Sequence, residues 1–220
     1  MNNTIEFSNL PLTPRPLGDM AETADMNERL ITRAYAMVAE AERLVAQQRQ
    51  RIRLLESISQ TDELTSLSNR RGFETCLSRE LAAAQRDPTA GGIIIMVDLD
   101  KFKQINDRFG HAAGDAFLKA VGRVLRDALR EGDCVARIGC DEFAIILPRT
   151  KQTAGLRRAA GLQTLLNAST MVWNNITLPL SASFGAAGYG PGDEAAKVLK
   201  RADAKLYANK GQRRDRRIEA

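Results

Sequence analysis

Apolar positions follow two different patterns along this chain. Residues 20–61 contain neither proline nor glycine, and a seam recurs there at alternating spacings of three and four: Ile31, Ala34, Val38, Ala41, Val45, polar Gln48, Ile52 and Leu55. This is the a/d seam of a heptad repeat, which pairs with a second helix. A helix of that length extends about 60 Å, too long for one small domain to cover. A parallel coiled-coil dimer is therefore favoured over an amphipathic helix folded onto its own domain. Residues 1–19 carry Pro11, Pro14 and Pro16 among Asn, Ser and Thr, with no periodic apolar face, and read as a disordered or partner-docking arm.

Beyond residue 62 the apolar runs are short and change period. Residues 71–85 read as a helix and 86–92 as a loop. The mostly β-branched run 93–97 then reads as a strand buried on both faces. Residues 113–130 form a helix with apolar Phe117, Leu118, Val121, Val124, Leu125 and Leu129. Runs 134–138 and 143–147 flank a tight turn and predict a β-hairpin. A helix over 151–168, a strand over 176–187, a helix over 194–209 and a last edge strand over 213–218 complete the domain. The pattern predicts an α/β (α+β) domain over 62–220, with a mixed, mainly antiparallel sheet flanked by helices.

Composition adds bounds. The chain is 44% hydrophobic and 27% charged, as in an ordinary globular protein. Its apolar stretches are too short for a membrane span, and the N-terminus lacks a basic region followed by an apolar one, so a cytoplasmic protein is expected. Cys76, Cys134 and Cys140 fit no metal-binding spacing and are expected as reduced thiols. The net charge of +5 is concentrated in residues 205–220, where Lys205, Lys210, Arg213, Arg214, Arg216 and Arg217 outnumber Asp215 and Glu219. No nucleic-acid recognition motif accompanies that cluster, so nucleic acid is not an expected partner; a small phosphorylated ligand or a solvated end accounts for it.

The candidate chemistry lies at the end of the buried strand. Side chains two apart on a strand share a face, so Asp98 and Asp100 are expected to lean one way with the Leu99 carbonyl between them. Hard divalent cations prefer such an oxygen cluster, and the carboxylates would repel one another without a cation, proton or basic partner. If the hairpin pairs beside this strand, Asp98 and Asp141 can hold the same ion. Any single acid here reads as a solvated strand end, but matched acids in two motifs are harder to explain that way.

Residues 98–115 (DLDKFKQINDRFGHAAGD) and the turn Gly139-Cys140-Asp141-Glu142-Phe143 resemble the GGDEF domain of diguanylate cyclases. Asp62 through Arg71 (DELTSLSNRR) resembles the family's opening motif, and Ala202-Asp203 through Lys210 and Arg214 its closing helix and basic end. The resemblance spans about residues 60–217 and implies a nucleotidyl-cyclase, palm-like fold. It also implies the condensation of two GTP to cyclic di-GMP and two pyrophosphates across a dimer of half-sites.

The same resemblance implies Asp98, the Leu99 carbonyl and Asp141 as ligands of two Mg²⁺ (or Mn²⁺) ions per site, with Glu142 supporting the ions or the attacking hydroxyl. Asp141, Glu142 and Lys103 would be catalytic. Phe102 and Lys103 begin a helix whose backbone N–H groups can cradle a triphosphate. Asn106 and Asp115 match the pair that reads guanine, whose N1–H/N2–H₂ edge adenine lacks; without Asp115 beside it, Asn106 would read as a local cap. Lys210 and Arg214 match distal phosphate contacts, though either alone is an ordinary surface charge. His111 matches a position expected to be structural. Arg130 and Asp133 occupy the place of the RxxD inhibitory site, where an arginine fork can bond guanine O6 and N7 of the product.

The chain departs from the family at Cys140, where the turn's second glycine lets the backbone approach the nucleotide without a Cβ, and at Arg213, where the family has glycine. These departures keep two alternatives open: a degenerate domain that senses cyclic di-GMP or GTP, and a coiled-coil adaptor with a docking body. A regulatory protein on the N-terminal region is a further expected partner.

Overall fold

A computed structural model describes residues 17–58 and 60–218 and divides into two units, through Ile58 and from Ser59 onward. The first is one helix, α1 (Leu17–Ile58). Within it the seam residues are open to solvent: Ile31, Val38, Val45 and Ile52 are each 48–57% exposed. Residues 1–16 of the expected arm lie outside the described residues.

The second unit is built on strand β1 (Gly92–Leu99), as its unbroken apolar run requires. β1 pairs antiparallel with β3 (Glu142–Leu147) on one side and β6 (Ala182–Tyr189) on the other, while β2 (Cys134–Arg137) pairs antiparallel with β3 at the edge. The sheet order is β2-β3-β1-β6. A parallel bridge from Ser68 to Ala136 adds the opening motif beside the edge.

Alternate residues of β1 feed two cores. Ile93, Ile95, Val97 and Leu99 pack with Phe117, Leu118, Val121 and Leu125 of α4 (His111–Asp127) and with Ala159, Leu162 and Leu166 of α5 (Gln152–Ala168). Ile94 packs with Phe73 and Leu77 of α2 (Arg70–Arg86) and with Val198 and Ala202 of α6 (Ala195–Ile218). Gly185 lets β6 lie directly on the α6 backbone, since a Cβ there would strike the Ala202 carbonyl and the Leu206 amide. Ile93, Ile94, Ile95, Ile145 and Ile146 are fully buried, and each contributes roughly 1.5–3 kcal/mol by burial. The strand ends can therefore carry acids that add little to packing.

Two expectations need correction. The strand expected over 176–187 is two strands: β5 (Ile176–Pro179), which pairs with β4 (Thr170–Trp173), and then β6. The chain is turned between them because Leu180 N–H donates to the Ser169 carbonyl and Ala182 N–H to Asn167 Oδ1. The β4–β5 hairpin closes through Asn174 and Asn175, both at positive φ (46° and 63°), as a two-residue turn matched to strand twist requires. The edge strand expected over 213–218 is the end of α6. Ile218 is its only apolar residue, so a strand there would bury little, whereas arginine favours helix.

Candidate active site

Two backbone relations bring the acidic motifs together. Asp98 and Glu142 are register partners across β1 and β3, and the Leu99 N–H donates to the Asp141 carbonyl at 3.0 Å. The turn closes where the Ile138 and Gly139 N–H groups both donate to the Glu142 carbonyl. A Cβ at Gly139 would stand 2.5 Å from Glu142 Oε2, the far end of an exposed side chain, so a side chain here would shift that carboxylate. Cys140 is exposed, so its Cβ displaces nothing within the chain.

Arg137 holds this turn, and the sequence reading missed it. Its guanidinium donates to the Cys140 carbonyl at 3.0 Å and to Asp62 Oδ2 at 3.3 Å, while Asp62 Oδ1 accepts from the Thr65 N–H and hydroxyl. The opening motif thus buttresses the turn. The available signal was one arginine in an otherwise apolar edge strand.

Asp98 and Asp100 have different partners. The strand ends at Leu99, so the alternation expected to align the two acids stops there. Asp100 accepts hydrogen bonds from Ser181 Oγ (2.7 Å) and Ser183 Oγ (2.8 Å) on the β6 side. Asp98, mostly buried, pairs instead with Lys210 Nζ at 2.6 Å. Asn209 fixes that part of α6 by donating to the Phe184 carbonyl. Lys210 is thus the basic partner that strand-end acids need.

Lys101 adopts a left-handed conformation (φ 60°) and turns the chain into α3 (Phe102–Phe109). Such a conformation costs a non-glycine residue energy, which the surrounding structure must offset. Phe102 is buried against Phe117, leaving Lys103 exposed at the helix start. Asn106 reaches across to α4 and lies where a Cβ of Gly114 would be, next to exposed Asp115. Asn106 thus reaches the turn of α4 that carries the second member of the expected guanine-reading pair. His111 is exposed at the start of α4. Arg214 lies on α6, and its side chain is outside the described residues.

Arg130 and Asp133 sit apart from this cluster. Asp133 accepts from the Arg130 N–H and forms a two-pronged ion pair with Arg158, at 2.6 and 3.4 Å. Arg130 itself is exposed and lines a hollow of about 610 Å³ together with Arg79, Arg86, Arg149 and Arg158. These additional arginines come from separated elements, and no local motif marks them.

Among the described residues, no group of three or more His, Cys, Asp or Glu could hold a metal. Two carboxylates and a carbonyl still fit Mg²⁺, which keeps several waters and takes substrate phosphate oxygens rather than using an all-protein cage. Asp98, one of these carboxylates, pairs with the Lys210 ammonium.

Residues 59–216 match the family described as "Diguanylate cyclase, GGDEF domain". The chain is 41% identical over 160 residues to diguanylate cyclase TpbB of Pseudomonas aeruginosa strain UCBPP-PA14, covering 71% of this chain and 36% of that protein. It is 37% identical over 158 residues to diguanylate cyclase DgcP of P. aeruginosa PAO1, covering 71% of this chain and 23% of the relative. It therefore spans only about a quarter to a third of the length of these relatives. Among solved structures it resembles diguanylate cyclase SiaD of P. aeruginosa in complex with its activator SiaC, at TM-score 0.67 and 28% identity, covering 89% of this chain and 77% of that one. It also resembles the coiled coil and GGDEF domain of DgcB from Caulobacter crescentus in complex with c-di-GMP, at TM-score 0.66 and 28% identity, covering 80% and 94%.

Proposed function

The chain belongs to the diguanylate cyclase GGDEF-domain family, and from that premise we propose that it condenses two GTP to cyclic di-GMP and two pyrophosphates, each chain of a homodimer contributing one half-site. The observation that carries this reading is the junction of β1 with the β2–β3 turn, where Leu99 bonds Asp141 and Asp98 faces Glu142. Each 3′-hydroxyl attacks the α-phosphorus of the partner's GTP. The new bond is 3′-O to phosphorus, and the bond to the pyrophosphate oxygen breaks. Bound Mg²⁺ or Mn²⁺, two per site, supplies charge neutralisation on the phosphates, with Asp98, the Leu99 carbonyl and Asp141 as its ligands.

The chain's own groups position the substrate. The N–H groups and ammonium at Phe102–Lys103 hold the triphosphate, with Lys210 and Arg214 at its far end. Asn106 and Asp115 select guanine, and Glu142 takes the proton of the attacking hydroxyl. Product docks through Arg130 and Asp133 in the arginine-lined hollow and slows turnover. Among the described residues no helix is long and apolar enough to cross a membrane, in keeping with a cytoplasmic role. The exposed α1 seam supplies the dimer contact, and the N-terminal region is the place for a regulatory protein such as the activator that SiaD binds.

The Asp141 side chain is not part of the backbone bond to Leu99. Asp141→Ala should therefore retain the fold and lose formation of cyclic di-GMP from GTP and Mg²⁺. Unchanged turnover at saturating Mg²⁺ would refute the assignment.

A further inference from the structure

Two of the three cysteines meet outside the nucleotide site. Cys76 projects from α2 and Cys134 opens the edge strand β2; both are half-buried, and both pack against the same apolar cluster. The two side chains pack on one cluster and line one hollow, and the Cys76 sulfur accepts from the Arg79 guanidinium at 3.7 Å. Both cysteines line a surface hollow of about 390 Å³ whose wall includes Arg79 and Asp133. Arg79 and Asp133 also line the larger arginine-rich hollow.

This arrangement separates the two thiols chemically. The neighbouring Cys134 thiol, aided by the charge of Arg79, brings the Cys76 thiol down to about 7, so much of it is thiolate at neutral pH. The Cys76 sulfur, with burial, pushes the Cys134 thiol up. A nucleophilic thiolate thus sits beside a protonated partner on a neighbouring element.

We propose that Cys76 and Cys134 are a peroxide-sensitive dithiol that closes reversibly to a disulfide between α2 and β2. The Cys76 thiolate attacks one oxygen of a hydroperoxide. The O–O bond breaks, the leaving oxygen takes up a proton as water (or as the alcohol, for an organic peroxide), and Cys76 becomes a sulfenic acid. The Cys134 sulfur then attacks the Cys76 sulfur, the S–S bond forms, and the sulfenic hydroxyl leaves as water with the Cys134 proton. The peroxide gains two electrons, one from each sulfur. A thiol reductant reverses the change, as transient sensor disulfides require.

The test is a titration of the full chain with hydrogen peroxide at pH 7, followed by blocking of free thiols and non-reducing tryptic mapping. The expected product joins the peptide 72–79 to the peptide 131–137 with loss of two hydrogens, and dithiothreitol separates them. Cys76 should be consumed about threefold or more faster than exposed Cys140, because the Arg79 guanidinium 3.7 Å from its sulfur favours the thiolate. Cys134→Ser should leave a sulfenic acid on Cys76 that dimedone traps, whereas Cys76→Ser should leave Cys134 unreactive at the same dose. The proposal is overturned if Cys76 and Cys134 stay unlinked at peroxide doses that oxidise Cys140, or if Cys134 reacts equally well in Cys76→Ser.

Discussion

The ammonium of Lys210 stands 2.6 Å from the carboxylate of Asp98, joining the end of α6 to the end of β1. Both groups belong to the proposed nucleotide site, where Asp98 would be a metal ligand and Lys210 a phosphate contact. Lys210→Met leaves Asp98, 17% exposed, without a counter-charge. Because Lys210 is itself a third exposed, the expected loss is only about 1 kcal/mol, or about 2–4 °C in Tm. Added Mg²⁺ should raise Tm more in the variant than in the parent, since an ion that binds only the folded state stabilises it. Thermal unfolding with and without MgCl₂ measures this; equal Mg²⁺ responses contradict Asp98 as a ligand.

Gly139 and Cys140 should respond in opposite ways to substitution. A methyl at Gly139 meets the Glu142 carboxylate, so Gly139→Ala shifts a proposed catalytic group and should lower turnover severalfold. Cys140→Gly removes an exposed side chain and should leave turnover equal or raised. Steady-state rates for both variants check the pair; a large loss in Cys140→Gly would give that thiol a catalytic role.

The two ends of the RxxD motif also separate. Arg130 is exposed, so Arg130→Ala should relieve product inhibition while barely changing the initial rate. Asp133→Ala leaves the mostly buried Arg158 guanidinium without its partner, and should in addition cost roughly 1–3 kcal/mol of stability. Inhibition curves with added cyclic di-GMP, paired with urea unfolding, distinguish them. Equal product sensitivity in Arg130→Ala and the parent would refute the inhibitory site.

A pH dependence follows from Asp193. The Arg201 guanidinium, bonded at 2.8 Å, is the main cause that holds its carboxyl below the usual carboxylate range. Because the folded value is depressed, the stabilisation is present above the unfolded value of about 3.9 and is lost as pH falls through the lower folded value. The pair is partly exposed, so its contribution is under about 1 kcal/mol. The stability gap between parent and Arg201→Met in urea melts should narrow from pH 7 to pH 3. Some gap remains, because Arg201 also bonds the Gly188 carbonyl. A gap that widens on acidification contradicts the coupling.

Much of the fold was legible because its main elements carry strong periodicity: the run that became β1, the paired runs around Gly139, and the amphipathic helix from which Phe117 and Val121 enter the core. The hairpin β4–β5 was not, since four-residue strands hold too few positions to display alternation, although Asn174-Asn175 was a readable turn signal. The end of α6 was misread because a run of arginines has no apolar period to reveal its helix. In the site, acids and their spacing were visible in the sequence. The ion pairs that hold them were not, because Arg137 and Asp62 lie 75 positions apart and Arg158 and Asp133 lie 25 apart.

The claim that two half-sites on two chains make one product is tested most directly by the dependence of specific activity on protein concentration when the α1 seam is broken. Changing Val38, Val45 and Ile52 to polar residues alters exposed positions of α1 and leaves the globular unit untouched. The variant should sediment as a monomer and bind GTP, and its rate of cyclic di-GMP formation per chain should climb with concentration as encounters replace the tether. Full, concentration-independent activity in a demonstrably monomeric variant at nanomolar concentration would contradict the account.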